Sequence, residues 1–437
     1  MALGGGGSPA PTSELALQLA FVIAAAGWLF AGAPHRERSG AIPGPLVWFG
    51  IAVLAVPLIQ LVPLPPDIWR DLPRRDLLRE VLAVIGAAEY WRPLSIAAYR
   101  TFAGLLALVP AVGAMWAVAL LSRKDRLLLV AVVAIMALVG AGLGALQVAS
   151  GPEAFRIYAA SHRDWLTAFH ANRNAAADVL LIGSFATTAW FAAKAARPRI
   201  SRQAKLILFF SAQIVLVAAI VFTGSRAGIA LAIISLAFHL RMLSGSQGRT
   251  WKATRWGCLL SLVLAFPVLT YLANTTQVLR VAERFAATSD TRLALWRDGF
   301  DAMRAFWPAG SGVGTFPSAF QSFEQARHLD PFFPNRAHND YLEFIIEAGI
   351  LAPAILVLGV IAVAFCARRA WRLSPQDHAL QLFALGSLAV IALHSLVDYP
   401  LRNMTIACLA GVAAGLLTAT PRGNAPRGSP RGRDEEG

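Results

Sequence analysis

Apolar residues run along this chain in long unbroken stretches separated by short polar breaks. The stretches fall near residues 15–33, 44–63, 101–121, 127–149, 175–193, 206–222, 227–240, 257–273, 344–366, 379–397 and 403–420. A helix rises 1.5 Å per residue, so about 20 apolar residues cross a hydrocarbon core. The pattern predicts an all-α polytopic transmembrane helical bundle of about 11 spans, within a range of 10–12. The seventh stretch is short and leaves room for a tilted or half-buried helix. Four parts follow: a membrane bundle over 1–273, a large outer loop over 274–343, three further spans over 344–420, and a disordered tail over 421–437 rich in Pro, Gly and Arg.

Two outer loops are longer than connections require. Residues 64–100 open with PLPPDIW and contain LLREVLAVIG, which predicts a short interfacial helix flanked by Trp69 and Trp91. In 274–343, the segment SDTRLALWRDGFDAMRAFW places Leu293, Trp296, Phe300, Met303 and Trp307 at helical spacing, with Ser289 or Asp290 as N-cap. A glycine-rich turn, PAGSGVGTF, comes next. FPNRAHNDYLEF then starts another helix, with Tyr341, Leu342 and Ile345 on the face of His338.

Charge gives the orientation. The loops 34–43, 121–126, 194–205, 241–256 and 367–378 and the tail hold 21 of the 39 Lys and Arg but 6 of the 25 acids. All four lysines (Lys124, Lys194, Lys205, Lys252) lie on that side. The positive-inside rule makes it cytoplasmic and puts the N-terminus outside. The net charge of +14 is mostly this topology signal. Its spread over loops argues against a nucleic-acid partner. The segment MALGGGGSPAPTSE has no basic n-region and does not read as a cleaved signal peptide. The cysteines Cys258, Cys366 and Cys408 have neither disulfide nor metal spacing.

The outer side carries arginine and no lysine, and Arg holds phosphate in a fixed bidentate fork. Arg226 sits in TGSRAG with no acid near in sequence, so its charge needs a partner elsewhere in the bundle or on a ligand. Arg173 precedes the fifth span, Arg292 opens the loop helix, and Arg336 lies two residues before His338. Outer arginines also contact lipid head groups or local acids, the more natural reading for Arg297 and Arg304. His338 stands where the polar loop meets a membrane helix, a place for a base, although Asn339 and Asp340 are the better helix caps. His394 with Asp398 one turn on reads as a structural pair. His162 and His170 carry no motif, and His239 reads as interfacial. No D-x-D, P-loop, H-E-x-x-H or G-x-S-x-G occurs, and Asp178 is the main acid within a span, giving weak support to an ion-coupled transporter.

TGSRAG at a mid-chain outer turn, a long loop between late spans, and H-N-D-Y-L-E-x-x-x-E-x-G leading into the next span together resemble the O-antigen ligase and polymerase family. PLPPDIW and HSLVDYPLR resemble a subgroup of it. The resemblance implies an inverting, metal-independent glycosyltransferase of GT-C-like class without cofactor. It implies a donor glycan on undecaprenyl pyrophosphate, an acceptor that is lipid A core or a growing polysaccharide, and a site on the periplasmic face of the bacterial inner membrane. It matches His338 to the family's loop histidine, Arg226 to the arginine of its S-R turn, Arg292 to the arginine opening its loop helix and Arg173 to N-R-N. On this reading His338 is catalytic. Arg226, Arg292, Arg173, Arg336, Asn339 and Tyr341 contact substrate, and His394 and Asp398 are secondary. Ligase, polymerase and protein O-oligosaccharyltransferase share these motifs. A transporter for the same lipid-linked glycan and a non-catalytic envelope assembly protein are the readings from other classes.

Overall fold

The computed structural model describes residues 3–6, 11–30, 41–193, 201–244, 292–328 and 333–420. The eighth apolar stretch, Ser289, Asp290, Cys258 and the tail lie outside them. Helices α1 (Pro11–Phe30), α2 (Gly44–Leu61), α3 (Pro66–Trp69), α4 (Asp76–Val84), α5 (Ala98–Leu120), α6 (Arg123–Ser150), α7 (Arg173–Ala192), α8 (Arg202–Phe222) and α9 (Arg226–Ser244) come first. They are followed by α10 (Arg292–Phe306), α11 (Phe316–Phe320), α12 (Asp340–Ala348), α13 (Leu351–Leu373), α14 (His378–His394) and α15 (Met404–Leu416). Among the described residues, the one sheet is a two-residue antiparallel pair, Pro63–Leu64 with Arg92–Pro93. Eight of the helices are long and apolar enough to cross a membrane, and Thr12–Gly27 and Met404–Leu416 are shorter apolar segments. The all-α polytopic architecture stands.

The bundle is organised around α7, whose residues from Ala175 to Ala189 are all buried. It is flanked by α6, α8, α9 and α14. A helix buried on every side is apolar all round or carries polar groups that are satisfied within the bundle. In α7, Ser184 and Thr188 bond Gln213 of α8, and Thr188 Oγ1 lies 2.8 Å from His239 Nδ1 of α9. His239 is therefore inside the bundle, its ring 4.8 Å from that of Phe185, and not interfacial as its place near a helix end suggests. Elsewhere α15 lies on α5 at backbone contact. A Cβ on Gly411 would stand 2.1 Å from Ala111 O, and one on Gly415 would stand 2.5 Å from Met115 O. Small residues spaced by four allow such approach where lipid supplies no drive for helices to associate.

Three local expectations change. The apolar stretch at 344–366 is two helices. Gly349, at φ +55°, packs on the Pro308–Gly310 turn, where a Cβ would lie 2.0 Å from Pro308 O. The chain breaks there, and the span begins at Leu351. Glu343 and Glu347 thereby fall in a separate short helix outside the spans. Trp69 does not flank an interface: it is fully buried, with Nε1 donating to Tyr90 O, while Trp91 is exposed. The inner face of α10 is Asp298, Gly299, Ala302 and Phe306, and Leu293, Phe300 and Trp307 point outward. Small residues win the inner face because α12 comes close. Leu342 reaches within 3.0 Å of where a Cβ on Gly299 would lie, and Leu342 and Ile346 complete that core. Leu342 thus does not share the direction of Tyr341, whose hydroxyl donates to Ala392 O of α14 at 2.8 Å.

The sidedness read from charge predicts a labelling result. In a cysteine-free variant, Gln325→Cys should react with an impermeant thiol reagent in intact cells and Lys124→Cys should not. Equal reaction at both positions overturns the orientation.

Candidate functional site

The candidate site forms where four helix ends meet on the loop side of the bundle. Asp398, in the turn after α14, is its hub. Asp398 Oδ1 accepts from His338 Nδ1 at 3.0 Å and from the Tyr399 amide at 3.0 Å. Oδ2 accepts from Asn174 Nδ2, lies 3.9 Å from Arg292 Nη2 and 4.0 Å from His394 Nε2. One carboxylate thus ties together the start of α7, the start of α10, the residue leading into α12 and the end of α14. Burial opposes its ionisation. The hydrogen bond from His338 and the charges of His338, His394 and Arg292 outweigh burial and hold Asp398 well below the usual carboxylate range.

His338 is backed by this carboxylate and open in front. Its side chain is 32% exposed, against 4% for Asp398. Its backbone is left-handed, at φ +50°, a conformation uncommon outside glycine and held here by its surroundings. Asn339, not His338, caps α12, its side chain accepting from Leu342 N at 3.0 Å. Next, the Asp340 amide donates to Ser395 O and weakly to Asp398 O, pinning the chain beside the hub. The ring packs edge-on to Tyr399, centroids 4.8 Å apart. A carboxylate only accepts, so Nδ1 carries a proton, and Nε2 keeps its lone pair whenever the ring is neutral. No described residue hydrogen-bonds to Nε2.

Behind the hub, His394 Nδ1 lies 2.6 Å from Asp178 Oδ1, both side chains 1% exposed. His394 does pair with Asp398 one turn on, at 4.0 Å, but its nearer acid is Asp178 of α7, and Asp398 serves His338 as well. Asp178, an acid within a span, is thereby paired and is not a lone charge. A cavity of about 10 Å³, room for one water, lies among Asn174, Asp178, His394 and Asp398.

The arginines divide into two groups. Arg292 is on the hub. Arg173, first residue of α7, stacks its guanidinium 4.9 Å over the Trp165 ring. That ring fills the space beside Gly224, at φ +62°, where a Cβ would fall 2.3 Å from it. The TGSRAG turn is closed by Ser225 Oγ accepting from Gly228 N, and it sets Arg226 at the head of α9. Arg336 belongs to a second cluster: its Nη1 is 3.0 Å from Glu343 Oε1. Arg336 and Asn339 are both engaged within the protein, with Asn339 Nδ2 also donating to Leu396 O, and so hold the loop.

Sequence reasoning missed the centre of that second cluster. Arg402, largely buried, reaches Glu347 at 2.8 Å, Glu343 at 3.3 Å and Asp340 at 3.7 Å. Burial opposes charge on all three acids. Arg402 and Arg336 still hold Glu343 below the usual range, whereas burial pushes Asp340 up to about 7 and raises Glu347. The signal was present: acids at 340, 343 and 347 share one helical face and require a cation.

Residues 211–358 match the O-antigen ligase family model. The match takes in Arg226, Arg292 and His338 and supports the family read from the motifs. It indicates an O-antigen ligase-like or polymerase-like enzyme acting on lipid-linked glycan or polysaccharide. Asp178, His394, Asp398 and Arg402 lie outside the matched segment, yet Asp398 contacts His338 directly and His394 and Asp178 stand behind it. No curated protein matches the chain.

Proposed function

We propose that this member of the O-antigen ligase family transfers a glycan from undecaprenyl pyrophosphate to an acceptor sugar hydroxyl on the periplasmic face of the inner membrane, acting as a ligase. The observation that carries it is His338 backed by Asp398, with Nε2 free of protein partners at the boundary between loop and bundle. The acceptor hydroxyl gives its proton to Nε2 as its oxygen bonds to the anomeric carbon. The bond from that carbon to the diphosphate breaks on the opposite face, and undecaprenyl pyrophosphate leaves with the electron pair. Asp398 orients the ring and stabilises the imidazolium that forms. Arg226, Arg292 and Arg173 supply preorganised positive charge for the growing charge of the diphosphate. Displacement in a single step inverts the anomeric centre. A polymerase of the same family uses this chemistry with a second lipid-linked glycan as acceptor.

Cells carrying His338→Ala in place of the native chain test the reading. They should accumulate undecaprenyl-linked glycan and lose the transferred product. Unchanged product with normal protein level would remove the proposal. Arg226→Lys keeps the charge but loses the fork, and transfer should fall about 10²-fold, the scale for one preorganised charge-stabilising donor. Near-normal turnover by folded protein would make Arg226 structural.

A further inference from the structure

On the lysine-bearing side of the bundle, well apart from the site above, α6, α7 and α8 leave an apolar groove of about 240 Å³ between them. Ala134, Leu138, Trp190, Phe191 and Ala212 are among the residues that line it. Lys205 stands at the mouth. Its Nζ lies 5.2 Å from the Phe191 ring centroid and 5.9 Å from that of Trp190. The groove runs about 10 Å along α8 from Lys205 to Ala212 at 1.5 Å per residue.

The geometry points to a binding site for a glycerophospholipid with an anionic phosphodiester head, its phosphate on Lys205 and an acyl chain in the groove. Three observations converge on this occupant. The lining is apolar apart from Lys205 and Thr187, whose hydroxyl is already bonded to Gly183 O, so the body of the ligand is hydrocarbon. Among the described residues, no carboxylate pairs with Lys205, although a cation at a membrane boundary seeks an anion. In sequence, the segment 194–205 carries Lys194, Arg197, Arg199 and Arg202 with no acid, a basic run. A zwitterionic head carries its own ammonium and gains less from such a run. A soluble anion has no use for the apolar walls. The site is independent of the glycan-transfer reading.

Native mass spectrometry of the intact protein, taken from nanodiscs of equal phosphatidylglycerol and phosphatidylethanolamine, tests it. The wild type should retain one phosphatidylglycerol about fivefold or more over phosphatidylethanolamine, the scale of one cation facing an anionic head. Lys205→Gln should abolish that preference. Lys124→Gln, an exposed lysine on the same side, should keep it. Ala212→Trp should fill the groove and remove the bound lipid with Lys205 intact. Equal retention of the two lipids by wild type would overturn the site, as would equal loss from both lysine variants, which means diffuse surface charge. Should Lys205→Gln fail to fold, Ala212→Trp decides: undiminished phosphatidylglycerol in that variant overturns the site.

Discussion

His338→Ala should lower glycan transfer by about 10²–10⁴-fold per folded protein, the range for loss of a positioned general base. The variant should still insert and bind donor, because Asn339 caps α12 and the arginines are untouched. Alanine at φ +50° adds some strain of its own. His338→Asn removes that ambiguity: asparagine tolerates the left-handed region and can hydrogen-bond Asp398, yet offers no base. Both variants should be slow. His394→Ala should act differently. It leaves Asp178 buried without its partner, so the amount of folded protein should fall before the specific activity does.

Arg402→Gln should cost about 3–5 kcal/mol of stability, the loss expected when a buried charge cluster loses one partner. Against a total of roughly 5–15 kcal/mol, this leaves little folded protein. Three carboxylates on α12 would face one another with Arg336 as the remaining cation. The pH dependence has a definite sign. A carboxylate with its folded pKa above its unfolded value binds more protons when folded, so acidification through that window stabilises the protein. In the wild type Asp340 already behaves this way between the ordinary value of 3.8 and about 7. Removing Arg402 takes away the charge that lowers all three acids, so Arg402→Gln should regain stability as pH falls from 8 towards 5. Thermal unfolding in detergent at both values measures it. A melting temperature within a degree of wild type at pH 8 would mean that Arg402 is not the keystone of the loop.

The membrane architecture was legible because a span needs a run of apolar residues and nothing else. The break at Gly349 was not, since Glu343 and Glu347 sit among enough apolar residues to prolong the apparent span, and the cause of the break is a contact with Pro308. In α10 the sequence pattern favoured large residues for the inner face, whereas the close approach of Leu342 selects Gly299 and Ala302. The site was legible in part. His338, Arg226 and Arg292 stand out by position in short motifs. Their support does not, because it joins distant segments: Asp178 meets His394 across 216 residues and Asn174 meets Asp398 across 224. Residue type gave a hint in each case. A buried acid in a span requires a partner, and three acids on one face of a short helix require an arginine. Local spacing paired His394 with Asp398, and packing adds His338 to Asp398 and Asp178 to His394.

Direct displacement of a lipid pyrophosphate by a sugar hydroxyl, driven by His338 backed by Asp398, is the step proposed for this site. Its most direct test is the anomeric configuration of the linkage made by purified wild-type protein from an undecaprenyl-pyrophosphate-linked glycan, with EDTA present, read by NMR of the product. The account predicts transfer undiminished by the chelator, with the anomeric centre inverted. A product of retained configuration, or transfer that stops in EDTA and returns with Mg²⁺ or Mn²⁺, would contradict it.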